Sequence, residues 1–287
     1  MSSRRKKLQG QRILLFIIQS LKSGDRQTGT LLLEDIAPRR HMVEKCEFLL
    51  RDVSSQIELV KVLAEIRTFA RNGAIVFIHI EAHGSEDGLL LSSGEFVDWS
   101  LLVDEFRRIN IIKRNYLIVM LAMCHGGWII SRINPFERAP FRAIISCMGP
   151  AEERRLQNAF SAFYSEYFFT IDHDRAIALM NAELMEGDSK FDFFKSEYFF
   201  DNFRPELDPN HFSECIDHLS KQYYNTHAAV RKYSFPEFRA KYEQAIIKEY
   251  QALKNNRDYF TMKDLQSGRR LKHPPVKLGS TIDDKPF

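Results

Sequence analysis

The run from Ala74 to Gly84, AIVFIHIEAHG, constrains this chain more than any other stretch. It is apolar and β-branched without the polar alternation of a half-exposed strand, the signature of a strand covered on both faces. A chain carrying such a strand has to supply helices for both sides of its sheet, which points to an α/β architecture. Other runs reinforce this. Gln11 to Leu21 (QRILLFIIQSL), Tyr116 to Ala122 (YLIVMLA) and Phe141 to Gly149 (FRAIISCMG) read as buried strands, and Cys46 to Val53 as a weaker one.

Helical signals fall between them. Ser55 and Glu58 have the capping-box spacing, and Ile57, Val60, Ala64 and Ile66 follow at helical intervals until Asn72-Gly73. Asp98 caps a second helix whose face carries Leu102, Phe106 and Ile109. The order strand, helix, strand, helix, strand, strand predicts a mostly parallel sheet with crossover helices on both faces. After Pro150 the pattern turns helical, with Asn158 to Phe169 and His173 to Leu184 as two helices. Ser234-Phe-Pro-Glu237 opens a long third helix carrying Phe238, Tyr242 and Ile246. The segment FDFFKSEYFFDNF, Phe191 to Phe203, has neither period and reads as core packing, a cover for the sheet edge or a docking surface. From Ser267 onward apolar periodicity is lost, as in a disordered tail.

With 287 residues, 44% of them hydrophobic, the chain can bury a large core. A net charge of +3 is too small to indicate nucleic acid, and the basic clusters SSRRKK and SGRRLKHPPVK read as solvated tails. The apolar stretch Ile13 to Ile18 is too short for a signal peptide or a membrane span. Cys46, Cys124, Cys147 and Cys215 show no disulfide or zinc spacing, which suits a cytoplasmic protein with reduced thiols and no metal. No G-x-G-x-x-G follows the first strand, there is no P-loop, and no cofactor is expected.

Two central strands end alike, one at His83-Gly84 and the other at Cys124-His125-Gly126-Gly127. In a parallel sheet the carboxyl ends of the strands share one rim, where reactive groups gather. Adjacent strands lie about 4.8 Å apart, so an imidazole at one end and a thiol at the next come within reach. A free thiol is mostly protonated at neutral pH, and a neighbouring imidazole can remove its proton. The Gly84 and Cys124 backbone amides are natural donors to an oxyanion. His125 competes with His83 as base, but neighbours on an extended chain point to opposite sides. His79, on the same strand face as His83, reads as buried and hydrogen-bonded. Cys46, Cys147 and Cys215 read as structural. Glu81 is a candidate to orient an imidazole, Glu152 and Glu153 to bind a basic substrate side chain, and Asp87-Gly88 marks a turn.

These motifs carry a resemblance. A strand ending in EAHG, the loop DGLLLSSGEFVDWSLLVDEF, the strand ending in AMCHGG, and AFSAFYSEYFFTIDHDRAIALMNAEL together resemble the caspase-like cysteine peptidases, most closely their bacterial CHAT branch. The resemblance spans roughly residues 10 to 190. It implies a caspase-like three-layer sandwich with a mostly parallel sheet, comprising residues 1–190. Residues 191–266 would then form an aromatic-rich, helical C-terminal extension packed on it or completing it, and residues 267–287 the tail. His83 is implied as general base, Cys124 as nucleophile, and the Gly84 and Cys124 amides as oxyanion hole. The implied function is a cysteine endopeptidase that cleaves a protein partner, held latent until a regulatory partner, ligand or processing event releases it, in antiviral defence or cell death. His125 departs from the family, where a small, polar or basic residue is usual. The last hundred residues do not align with it, so no substrate-binding residue is carried over. The competing expectation is an inactive caspase-like adaptor that binds through the aromatic segment and the helix from Pro236 to Asn255.

Overall fold

The computed structural model describes residues 12–42, 46–134, 137–202, 216–217, 220–221, 223–225, 230, 232–254 and 257–267. The chain divides into two compact units, Met1–Ile133 with Ala139–Ser196, and Asn134–Arg138 with Glu197–Phe287.

The first unit runs β1 (Ile13–Ser20), α1 (Thr28–Ile36), β2 (Cys46–Asp52), α2 (Gln56–Arg71), β3 (Ile75–Gly84), β4 (Gly88–Leu90) and β5 (Phe96–Asp98). It continues with α3 (Trp99–Ile112), β6 (Ile118–Ala122), a 3-10 segment (Gly126–Arg132), β7 (Ala143–Cys147), α4 (Glu153–Thr170), α5 (His173–Ala182) and β8 (Phe191–Lys195). The sheet order is β2-β1-β3-β6-β7-β8. The first five strands are parallel and β8 closes the edge antiparallel to β7. The mostly parallel sheet expected from the sequence is therefore present, with helices on both faces.

Side chains alternate across the sheet and define two cores. Ile13, Leu15 and Ile17 of β1, Met120 and Ala122 of β6, and Ile145 and Cys147 of β7 pack with Leu32 and Ile36 of α1 and Phe160, Phe163 and Tyr164 of α4. The opposite face carries Leu14, Phe16 and Ile18, all fully buried. Phe16 meets Phe69 of α2 at 5.8 Å between ring centroids. Leu59, Leu63 and Ile66 of α2 and Leu102, Phe106 and Ile109 of α3 are buried as well. Each such side chain contributes about 1.5–3 kcal/mol on burial, so the layered packing dominates the stability of the unit.

The helix starts follow their signals, with one displacement. Ser55 accepts from the Glu58 amide at 3.3 Å, but the Glu58 carboxylate reaches the amide and hydroxyl of Ser54, at 2.7 and 2.8 Å. The box thus closes one residue early. Glu95 satisfies another first-turn amide, that of Gln56, at 2.8 Å. Asp98 caps α3 through the Ser100 amide at 2.7 Å.

The second unit contains most of α6 (Ser196–Asn202) together with α7 (Phe235–Lys254). The carboxylate of Glu237 accepts from the amide and hydroxyl of Ser234 at 3.0 and 2.7 Å, as the second capping box predicts. Phe238 is buried and stacks on Tyr223 with centroids 5.9 Å apart. Arg138 grips Asp264 through two nitrogens, at 2.8 and 2.7 Å, under the ring of Tyr259. Cys215 and the tail from residue 268 lie outside the described residues. Among the described residues no helix is long and apolar enough to cross a membrane.

Candidate active site

The register between β3 and β6 brings the two motifs together. Glu81 pairs with Ala122, the last matched pair of these parallel strands. His83 and Cys124 each lie two residues further on, so both fall on the α1/α4 side of the sheet at its carboxyl rim. They line one cleft, open to solvent, with Arg26, Thr28, Glu81 and Glu153 around it. At Gly84 the strand ends come into backbone contact, since a Cβ built there would stand 2.0 Å from the Cys124 carbonyl oxygen.

A cluster of short bonds fixes the loop that bears the thiol. His125 adopts the left-handed conformation, φ 59°. Its amide donates to the Gly149 carbonyl at 3.1 Å, and its Nδ1 lies 3.2 Å from the Met148 carbonyl. Trp128 Nε1 donates to that same Met148 oxygen at 3.1 Å. His125 is thus committed to the exit of β7. Cys124 is half-buried, with its sulfur 3.4 Å from the Ala151 amide and 3.5 Å from the Ala151 carbonyl oxygen. Burial pushes the thiols of Cys46 and Cys147 up to about 12, which leaves them inert at neutral pH.

His83 is held by a residue that sequence reading missed. Asp25, in the loop after β1, accepts from its Nε2 at 2.9 Å. The Lys22 amide donates to the same carboxylate oxygen at 2.9 Å and holds Asp25 in place. The His83 bond, and then the Lys22 amide, keep the Asp25 carboxyl below its ordinary value. Among the described residues no hydrogen bond joins His83 to Cys124, whose sulfur meets the Ala151 backbone, and His83 Nδ1 is left without a partner. Glu153 follows from the start of α4, with a carboxylate oxygen within 4.8 Å of a carboxylate oxygen of Asp25 and a ring nitrogen of His83. Glu152 instead pairs with Arg155 at 2.8 Å. Asp87 lies in the β3–β4 turn, 3.4 Å from Arg132.

Glu81 does orient an imidazole, but that of His79 and not of His83. His79 is fully buried, with Nε2 at 2.8 Å from Glu81 Oε1 and Nδ1 at 3.0 Å from the Tyr164 hydroxyl. The second Glu81 oxygen accepts from Thr28 at 2.8 Å. A carboxylate only accepts, so in the neutral ring Nε2 carries the hydrogen and Nδ1 receives that of Tyr164. Burial, and then Glu81, push the Tyr164 phenol well above its usual value, which keeps it a donor. Tyr164→Phe orphans Nδ1 in the core and is expected to cost about 1–3 kcal/mol, read as a lower urea midpoint.

No protein-family profile matches the chain, and no curated protein is significantly similar to it. Among solved structures the chain is similar to the Drosophila initiator caspase Dronc, with 11% sequence identity and a TM-score of 0.46. The similarity covers 64% of this chain and 79% of that one. A likeness of that extent carries nothing about activity, and the site stands on its own geometry.

Proposed function

We propose that the chain is a cysteine endopeptidase of caspase-like type, with Cys124 as nucleophile and His83 as general base. The observation that carries this reading is the shared cleft, in which an anchored imidazole and the one thiol not deeply buried among the described cysteines face the same solvent.

The chemistry follows from those positions. Nδ1 of His83 takes the Cys124 proton as the sulfur bonds to a peptide carbonyl carbon. The oxyanion is stabilised by the Gly84 and Cys124 amides. The imidazolium returns its proton to the amine as the C–N bond breaks, leaving a thioester on Cys124. Water, deprotonated by the same imidazole, then releases the acid. Substrate, in this proposal, is a protein partner. The CHAT-like motifs support a latent cytoplasmic effector of antiviral defence or cell death, released by a partner, a ligand or processing.

A thiol-directed electrophile applied to the full chain tests the proposal. Cys124 is expected to label selectively, at least about tenfold faster than in His83→Ala, and Cys124→Ala to cleave no protein. Equal labelling of all four cysteines, with the same fragments from Cys124→Ala as from wild type, overturns it in favour of the adaptor.

A further inference from the structure

The cleft beside Cys124 holds more negative than positive charge, and most of it is not neutralised by lysine or arginine. Glu81 forms part of its lining and is only 2% exposed; its oxygens meet Thr28 and His79. Glu153 stands at the mouth and has no hydrogen-bond or ion-pair partner among the described residues. Asp25 lies within 4.8 Å of it, committed to His83. Against these three carboxylates stand two cations: Lys22, whose charge acts on Asp25, and Arg26, whose Nε and Nη2 both donate to the neutral Gln157 Oε1, at 3.0 and 2.6 Å. Carboxylates this close repel each other, and a cation between them relieves the repulsion.

From this we infer that the cleft selects a lysine or arginine side chain as the residue before the cleaved bond, with Glu153 at the entrance and Glu81 further in. The inference rests on the peptidase reading, because Cys124 fixes where the scissile carbonyl sits. In this inference the preceding side chain occupies the part of the cleft lined by Arg26, Glu81 and Glu153, the lining they share with Cys124. The cation entering there meets Glu153 first, and a long side chain extends toward Glu81. Charge-assisted bonds of this kind strengthen as water is excluded. Arg26 supplies the opposing case, an acidic side chain drawn to its guanidinium, and the experiment separates the two.

Peptidyl acyloxymethyl ketones ending in arginine, lysine, leucine or aspartate are applied to the full chain, and Cys124 alkylation is timed by mass spectrometry. In this step the sulfur–carbon bond forms as the carboxylate leaves and the thiol proton passes to His83. Arginine and lysine probes are expected to label at least about tenfold faster than leucine or aspartate. The arginine-to-leucine ratio is expected to fall about tenfold in Glu153→Gln, and also in Glu81→Gln, whose amide can donate to the Thr28 oxygen. Fastest labelling by the aspartate probe, or a ratio unmoved by both substitutions, overturns the subsite and leaves the peptidase reading in place. Labelling by none of the four overturns the peptidase reading, and the subsite with it.

Discussion

If the chain cleaves peptides as proposed, replacing Asp25 with alanine is expected to lower kcat/KM by about 10²–10⁴-fold, chiefly through kcat. The His83 side chain is 46% exposed, and Asp25 is its anchor. Without that anchor the ring can turn about its Cα–Cβ and Cβ–Cγ bonds, and Nδ1 is no longer held where the proposed proton transfer needs it. The imidazolium formed during the reaction also loses its counter-charge. Asp25→Asn keeps an acceptor and loses the charge, so its rate should lie between wild type and alanine, whereas damage to the fold would not be rescued this way. The pH dependence separates the roles further. The Asp25 carboxyl is held below the ordinary carboxylate value of about 3.9, so its contribution is fully present above about pH 4 and fades as the pH falls through the lowered value. The wild-type advantage over Asp25→Asn in alkylation rate should therefore narrow as the pH falls below about 4. An advantage that does not narrow there, or an alanine variant as fast as wild type, removes Asp25 from the proposed mechanism.

Asp25 also marks where sequence reading stops. Strands β1, β3, β6 and β7 were legible because strands buried on both faces need unbroken apolar runs, and the His83 and Cys124 motifs were legible as their endings. Asp25 sits in KSGDRQTG, which has the composition of any turn. Only the placement of β1 beside β3 carries the loop to His83, and that is a property of topology. Helix α1 was missed for a local reason: it is nine residues long, contains Gly29, and Gln27 provides no side-chain cap, so neither cap nor periodicity announces it. Strand β8 was missed because its pattern FDFFK alternates too little, its central phenylalanines being half-buried at the sheet edge. Which imidazole Glu81 orients was left open by the sequence because His79 and His83 flank it on one strand face, and sequence cannot show that α4 brings Tyr164 to complete the buried set.

Gly84→Ala is expected to destabilise the protein by about 3 kcal/mol and to slow peptide-probe labelling of Cys124 by about 100-fold. The sign is set by two competing effects. Gly84 does not have a positive φ, so its backbone accepts an L side chain, and removing a glycine from the unfolded chain should by itself stabilise by about 0.4–1 kcal/mol. Space reverses this. The new Cβ would lie 2.0 Å from the Cys124 carbonyl oxygen and 2.9 Å from Met123 Cγ. The methionine can turn aside, but the carbonyl belongs to a loop held at Gly149 and Met148. Relief therefore requires the ends of β3 and β6 to part by about 1.5 Å, ordinary contact beginning near 3.5 Å. That movement separates His83 from Cys124 and shifts both proposed oxyanion donors, so stability and reactivity should fall together. Gly24→Ala provides the control, since nothing lies within 4 Å of a Cβ there and its urea midpoint should stay level or rise. If Gly84→Ala kept the wild-type midpoint and labelling rate, the two strand ends could not be in backbone contact, and the spatial basis for pairing the imidazole with the thiol would go with it.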